Sequence, residues 1–315
     1  MALSRNSVLR DGSQRLQAAL LRAAIVLLRG LGPVRSSDLG GWVARSFGPM
    51  LPVSKVADRN LRNALPDFDG RRRAEIIRAM WDNLGRTSAE LPHLPAFHRT
   101  REGPGWEIAG EEHIERLKSA SVPVIFFSGH FGNWEMILPI AAELGLTVSG
   151  VYRAASNAHV DVIIQGLRER ALGPRVSMFA KGAEGGRAAL RHLQNGGSLG
   201  LLVDQKLNDG IAVPFFGRQA MTAPAVAQFA LRFGVPIVPV RVMRLGPARF
   251  RLVCEPPLIV APSGERDADI HAILRAVNTT LERWIRADPA SWFWLHRRWP
   301  NGGDRPASFD TKPRT

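Results

Sequence analysis

Apolar positions along the chain change their period near residue 100. From Leu16 to Leu28 the run LQAALLRAAIVLL is interrupted only by Gln17 and Arg22, and Gly30-Leu31-Gly32-Pro33 stops any helix it forms. A membrane span needs about 20 apolar residues, so this stretch is short, and it carries a charge near its middle. Arg15, Arg22 and Arg29 recur every seven residues and would line one basic stripe of an otherwise apolar helix. That pattern fits a helix lying in a membrane interface with its arginines reaching the headgroups. A core-facing helix is the plainer alternative; a cleaved signal peptide lacks a small-residue cleavage motif. Residues 38–48 (Leu39, Trp42, Val43, Phe47) predict a second short amphipathic helix. Lys55, Arg59 and Arg62 then alternate with Val56, Leu61 and Leu65 up to Pro66, and Ile76, Ile77, Met80, Trp81 and Leu84 recur at helical spacing over Arg71–Leu84.

A Pro- and Gly-containing stretch from Pro92 to Gly105 marks a boundary, and beyond it the rhythm is different. Val122–Phe127, Leu146–Val151, Leu199–Val203, Ile237–Val242 and Phe250–Cys254 read as strands. Ile114–Ser119, Asn133–Leu144, Val160–Arg170, Ala183–Leu193 and Ala225–Phe233 read as the helices between them, and Ala268–Arg286 as a terminal helix. The alternation predicts an α/β fold: a mixed, largely parallel sheet flanked by helices, preceded by a helical, membrane-associating region. The expected organisation is residues 1–100 for that region, 101–300 for the α/β domain and 301–315 for a loose, polar tail.

Composition narrows the class. Hydrophobic residues make up 45% of the 315, with 8 Trp and 14 Phe, enough for a sizeable core and too many for a disordered chain. The net charge is +14, and Lys occurs only at 55, 118, 181, 206 and 312, so the excess is almost entirely Arg. Such a balance favours an anionic partner: nucleic acid, anionic lipid or an acidic carrier protein. The aromatics are not interleaved with Arg on a strand platform, and no helix-turn-helix or zinc spacing appears, which argues against nucleic acid. Cys254 is the single cysteine, so no internal disulfide forms, and its place in a strand-like run suits a core residue.

Chemistry concentrates in Phe126-Phe127-Ser128-Gly129-His130-Phe131-Gly132-Asn133-Trp134-Glu135. An apolar strand ends at Ser128-Gly129 and a helix is expected from about Asn133. His130 therefore falls at the carboxyl edge of the sheet, where open α/β folds place their sites. Residues five apart on one continuous helix diverge by about 140°, but His130 on the preceding turn can meet Glu135 in the first turns of the helix. A carboxylate on one imidazole nitrogen fixes the tautomer and raises the basicity of the other, which can then take a proton from a hydroxyl. There is no His-Glu-x-x-His, and one cysteine builds no thiolate site, so zinc chemistry is not indicated.

These residues also carry a resemblance. Ser128–Glu135, SGHFGNWE, resembles the catalytic block of the bacterial lipid A biosynthesis (lauroyl/myristoyl) late acyltransferases, within the glycerolipid acyltransferase superfamily. Further blocks follow in the family's order: Val151-Tyr152-Arg153 through His159-Val160-Asp161 to Arg168-Glu169-Arg170; Leu202-Val203-Asp204-Gln205; Val213-Pro214-Phe215-Phe216-Gly217 with Thr222; and Trp294-Leu295-His296-Arg297-Arg298-Trp299. Asn60–Pro66 resembles the family's N-terminal region, so the similarity spans roughly residues 20 to 300.

The resemblance implies His130 as general base and Glu135 as its partner, with Arg168 and Asp204 important for activity. Family members often have another acidic residue just after that aspartate, where Lys206 stands here. Beside it, Arg153, Arg168 and Arg170 are candidates for substrate phosphate or a developing oxyanion, Asp204 ends a strand on the edge of His130, and Phe215 and Phe216 suit either an acyl wall or the core. The Trp292–Trp299 segment suits a lipid interface or packing of the last helix equally. The implied reaction moves an acyl chain from an acyl carrier protein thioester to a hydroxyl of a lipid A precursor, with no metal or redox cofactor, at the cytoplasmic face of a bacterial inner membrane. Rivals are a glycerophospholipid acyltransferase, whose Phe-Pro-Glu-Gly-Thr-Arg block is missing here, an acyltransferase for an amino-acid lipid or glycolipid, and a basic membrane-binding module without catalysis.

Overall fold

Each run that the sequence marks as a strand enters one sheet. The computed structural model describes residues 5–174 and 176–299, so the expected tail at 301–315 lies outside the described residues. The strands are β1 (Gly105–Ala109), β2 (Ile125–Ser128), β3 (Val148–Tyr152), β4 (Met178–Ala180), β5 (Ser198–Leu202), β6 (Ile211–Phe215), β7 (Arg218–Thr222), β8 (Ile237–Gly246) and β9 (Arg249–Cys254). Seven of them form a sheet in the order β1-β9-β8-β2-β5-β3-β4, in which only the β8–β9 pair is antiparallel. The hairpin β6–β7 stands apart as a two-stranded ribbon. β1, β4 and this ribbon were not expected from the sequence; they are short or, in the ribbon, carry Pro214 and polar alternation that weaken a strand signal.

Helices cover both faces. They are α1 (Arg5–Phe47), α2 (Ser54–Ala64), α3 (Gly70–Glu90), α4 (Glu111–Ala120), α5 (Ile137–Glu143), α6 (Ala158–Leu172), α7 (Ala183–Gln194), α8 (Ala225–Phe233) and α9 (Arg266–Ala287). Because both faces are covered, β2 is buried along its whole length and apolar up to its last residue, Ser128. Ile125 and Phe127 enter one core layer with Leu199, Leu281 and Trp284, while Phe126 enters the other with Met136, Ile140 and Val240. Leu61 of α2 and Ile76, Met80 and Trp81 of α3 belong to the first of these layers. The helices before residue 100 thus share the hydrophobic core of the sheet.

α1 departs from the expected pair of separate helices. It runs on through Pro33 with a single break at Gly32, whose φ of 74° and ψ of 168° are not helical. Gly permits that conformation, and Pro33 has no amide to lose at the start of the second half. The second half crosses α3 where Gly40 and Gly85 meet: a Cβ on Gly40 would lie 2.4 Å from the Gly85 carbonyl oxygen. From residue 11 on, where side-chain burial is described, the first half buries only Ala18 and Ile25. At 100° per residue, Leu16, Leu20 and Leu27 share the opposite face, and they are 61%, 63% and 59% exposed. Leu39, Trp42, Val43, Phe47 and Met50 extend this uncovered apolar surface past the break. The helix is long and apolar enough to cross a membrane by length and composition.

One buried ion pair ties this helical layer to the sheet. Glu90, fully buried at the end of α3, accepts hydrogen bonds from Ser37 Oγ of α1 (2.7 Å), Asn133 Nδ2 (2.8 Å), the Ala248 amide (3.1 Å) and both terminal nitrogens of Arg244 on β8 (2.5 and 2.9 Å). Removing one partner of such a pair leaves the other charge uncompensated, which costs about 3–5 kcal/mol. Glu90→Ala is accordingly expected to lower the stability of the chain by that amount in urea titration, whereas a loss below about 1 kcal/mol would show that the pair is dispensable.

Candidate active site

The sheet order decides which groups meet. β2 and β5 are adjacent and parallel, with Ser128 opposite Leu202. Two residues further on, at the carboxyl edge, His130 stands opposite Asp204. The imidazole Nδ1 of His130 lies 2.8 Å from Asp204 Oδ1, and the His130 amide donates to Asp204 Oδ2 at 2.9 Å. Trp292 donates its indole N–H to the same Oδ2 at 2.7 Å. Because a carboxylate accepts at Nδ1, the neutral ring carries its proton there and leaves Nε2 as the free base. Gln205 places its side-chain amide 3.4 Å from that nitrogen.

The loop bearing His130 is held from several sides. The His130 carbonyl accepts from Phe293, the Gly132 amide donates to Ser291, and the Gly132 carbonyl accepts from Asn83 and Thr87 of α3. Gly132 has φ of +52°, and a Cβ there would lie 2.2 Å from the Val242 carbonyl oxygen, so no other residue fits without backbone movement. Asp204 is 2% exposed. Burial pushes its carboxyl up, but the charge of His130 and the hydrogen bonds from His130 and Trp292 hold it down at about 2. For His130, burial disfavours the cation; the charge and hydrogen bond of Asp204 outweigh this, Glu135 adds to them, and the ring titrates above its ordinary value.

Glu135 sits elsewhere than the sequence spacing suggested. Residues Trp134–Met136 form a 3-10 turn before α5, and the Glu135 carboxylate is gripped by Arg168 of α6 in a bidentate pair at 2.6 and 2.8 Å. Burial works against the Arg168 charge, but Glu135 outweighs it and raises the guanidinium above its ordinary value. The expected contact of His130 with Glu135 is thus replaced by one with Asp204, and Glu135 acts on the imidazole through space. Local spacing favoured Glu135, whereas the partner that touches the ring arrives through a strand crossover. Of the other expected residues, Arg153 lines the cavity beside His130, and Arg170 is exposed on α6.

That cavity has a volume of about 900 Å³ and reaches from His130, Glu135, Arg168 and His296 into an apolar interior. Leu138, Leu172, Leu201, Val226, Phe229 and Val240 are among its walls. Gly150 and Gly200, register partners on β3 and β5, leave a bare patch of sheet there that Leu138 covers. Phe215 and Phe216 belong to the core, as do Trp292, Trp294 and Trp299, which are at most 5% exposed and so do not sit at a lipid interface. Cys254 is buried on β9, and burial pushes its thiol up to about 12, so it is no nucleophile. His296 was quoted only within a sequence block, yet it lines the cavity and accepts from the Lys206 amide at 2.8 Å. Burial, together with the charges of Arg298, His130 and Lys181, lowers its pKa despite Asp204.

Comparison with known proteins decides the class. The profile of the family described as bacterial lipid A biosynthesis acyltransferase matches residues 11–301. The chain belongs to that family. It is also similar to a lipid A biosynthesis lauroyltransferase of Escherichia coli (strain K12), with 24% identity over 252 residues, covering 78% of each chain. The oriented imidazole of His130 lines this apolar cavity, and an imidazole so held has the chemistry to take a proton from a hydroxyl.

Substitutions at His130, Asp204 and Glu135 test the roles of these groups in this acyltransferase. His130→Ala should lower turnover by about 10²–10⁴-fold with the fold intact; retention of a tenth of wild-type turnover would remove it as base. The base must be neutral, so the acid limb of the kcat profile should lie above the ordinary imidazole value of 6.5. Asp204→Asn removes the charge that holds the limb up but leaves the burial, so the limb should move to lower pH as kcat falls. Should Glu135→Gln move the limb further than Asp204→Asn does, the assignment of partners would be reversed.

Proposed function

We propose that the protein transfers a fatty acyl chain from an acyl carrier protein thioester to a hydroxyl of a lipid A precursor at the cytoplasmic face of a bacterial inner membrane. The observation that carries this reading is the Asp204-oriented imidazole of His130 in the lining of the 900 Å³ apolar cavity, in a chain of this family. Cavities of roughly 300–1,000 Å³ hold ligands of about this size. The acyl chain would lie along Leu138, Leu172 and Phe229, with its thioester carbonyl at the mouth. His130 Nε2 takes the proton of the acceptor hydroxyl as the oxygen attacks that carbonyl. The resulting imidazolium is stabilised by Asp204, which stays ionised. Collapse of the tetrahedral intermediate forms the ester and expels the thiolate, which recovers the proton from His130. Attack is direct, so no enzyme nucleophile is used. Arg168, held by Glu135 in a bidentate pair, lines the same cavity and would offer its remaining N–H groups to the reacting carbonyl.

The uncovered apolar face of α1 supports the membrane part of the reading. Each large side chain moved from water to hydrocarbon contributes about 1.5–3 kcal/mol, whereas a basic residue near an anionic surface contributes about 1 kcal/mol. Several leucines and Trp42 therefore outweigh Arg15, Arg22 and Arg29, and salt screens only the smaller share.

The reaction is tested by lipid A mass spectrometry of a deletion strain, which should show a species lighter by one acyl chain, and by the purified protein restoring that chain from an acyl carrier protein donor. Unaltered lipid A, with acylation of a lysoglycerophospholipid instead, would assign a different acceptor. The protein should sediment with membranes and be extracted by detergent more completely than by high salt. Complete release by salt alone would make the attachment purely electrostatic.

A further inference from the structure

Four cations invite comparison as ligands for an anionic substrate, and the structure separates them. Arg168 is committed to Glu135 through two hydrogen bonds. Arg170 is exposed on α6 and outside the cavity lining. Arg153 and Lys181 are different. β3 and β4 are parallel neighbours with Tyr152 opposite Ala180, so Arg153 and Lys181 are the next residues off two adjacent strands, both at the carboxyl edge. The Lys181 amide donates to the Tyr152 carbonyl at 2.7 Å, which fixes the two backbones side by side. Both residues line the cavity that holds His130, and neither takes part in any of the ion pairs found among the described residues. The positive charge of Lys181 is felt by His296 inside that cavity.

We propose that Arg153 and Lys181 form a clamp for a phosphate group that enters the cavity mouth with the substrate. Two unpaired cations held a strand spacing apart, about 4.8 Å, suit an anion with several acceptor oxygens. Arg offers a planar fork to two oxygens and Lys a point charge to a third. An exposed cation alone binds weakly in water, so the pair, set against low-dielectric apolar walls, is what gives the clamp its selectivity. This inference rests on the acyl-transfer reading for its site, and phosphate chemistry reaches that site from two sources: a phosphorylated lipid acceptor, or the phosphodiester of a carrier protein's prosthetic arm.

The experiment has a binding part and a kinetic part. Binding of dodecyl phosphate to the full chain in detergent is measured by calorimetry for wild type, Arg153→Gln, Lys181→Gln and the double variant, with dodecanol as the uncharged control. Loss of a charged hydrogen bond costs roughly tenfold or more in affinity, so the double variant should bind dodecyl phosphate at least ten times more weakly, with dodecanol binding unchanged. Lys181→Arg should restore most of the affinity. Both residues are exposed, so the variants should keep the wild-type melting temperature. In turnover the same variants should raise KM and spare kcat. If the penalty disappears with a dephosphorylated acceptor, the clamp holds the acceptor; if it disappears with an acyl-N-acetylcysteamine donor, which has no phosphate, it holds the donor. Equal binding of dodecyl phosphate by wild type and the double variant overturns the clamp. The calorimetry needs no catalysis, so a protein that acylates no lipid A precursor would defeat the proposed reaction while leaving the clamp to its own result.

Discussion

The site depends on the pairing of β2 with β5. These strands are far apart in sequence, yet Ser128 and Leu202 are partners in the parallel ladder, and that single register places His130 opposite Asp204. A slip of one residue would turn every side chain on β2 to the other face, exchanging Phe126 and Phe127 between core layers and removing the carboxylate from the ring. The register is secured because β2 is buried on both faces, where an apolar side chain fits only one layer. Burial also sets the chemistry. Asp204 is buried, so His130 and Trp292 supply its hydrogen bonds, and the carboxylate stays charged in a place where an unpaired one would take up a proton.

Much of this was legible in the chain, and what was not has a physical reason. The five expected strands formed because long apolar runs bounded by polar turns leave few other structures open. His130 was legible because a Gly-flanked histidine after such a run must fall at the sheet edge. Its partner was not. Glu135 is near in sequence, and sequence distance is the only distance a chain displays, whereas Asp204 is brought in by a strand order that skips from β2 to β5. Trp292 was hidden for the same reason, since its indole reaches Asp204 across 88 positions. Lys181 gave no signal at all: a lone lysine before a glycine gains meaning only beside Arg153.

The helices that precede the sheet have two surfaces with different duties. One is ordinary core, with Met80 and Trp81 set among the residues that back β2. The other is apolar and uncovered, from Leu16 to Met50. Gly32 breaks the helix between these parts, so the two halves of the apolar face need not lie along one axis. A broken helix with its outer face bare is suited to resting in a boundary layer, and its inner face stays docked on α3 through the close crossing at Gly40 and Gly85.

Glu90 has a bearing on how the protein can be handled. It accepts from Ser37, Asn133 and Arg244 together, and neighbouring Thr87 and Asn83 hold the carbonyl of Gly132 in the histidine loop. Cutting away the greasy N-terminal third to obtain a water-soluble catalytic fragment would therefore remove the wall against which the catalytic loop is built. Solubility is better sought by recolouring the outer face, exchanging Leu16, Leu20, Leu27 and Trp42 for polar residues and leaving every residue that faces α3 in place.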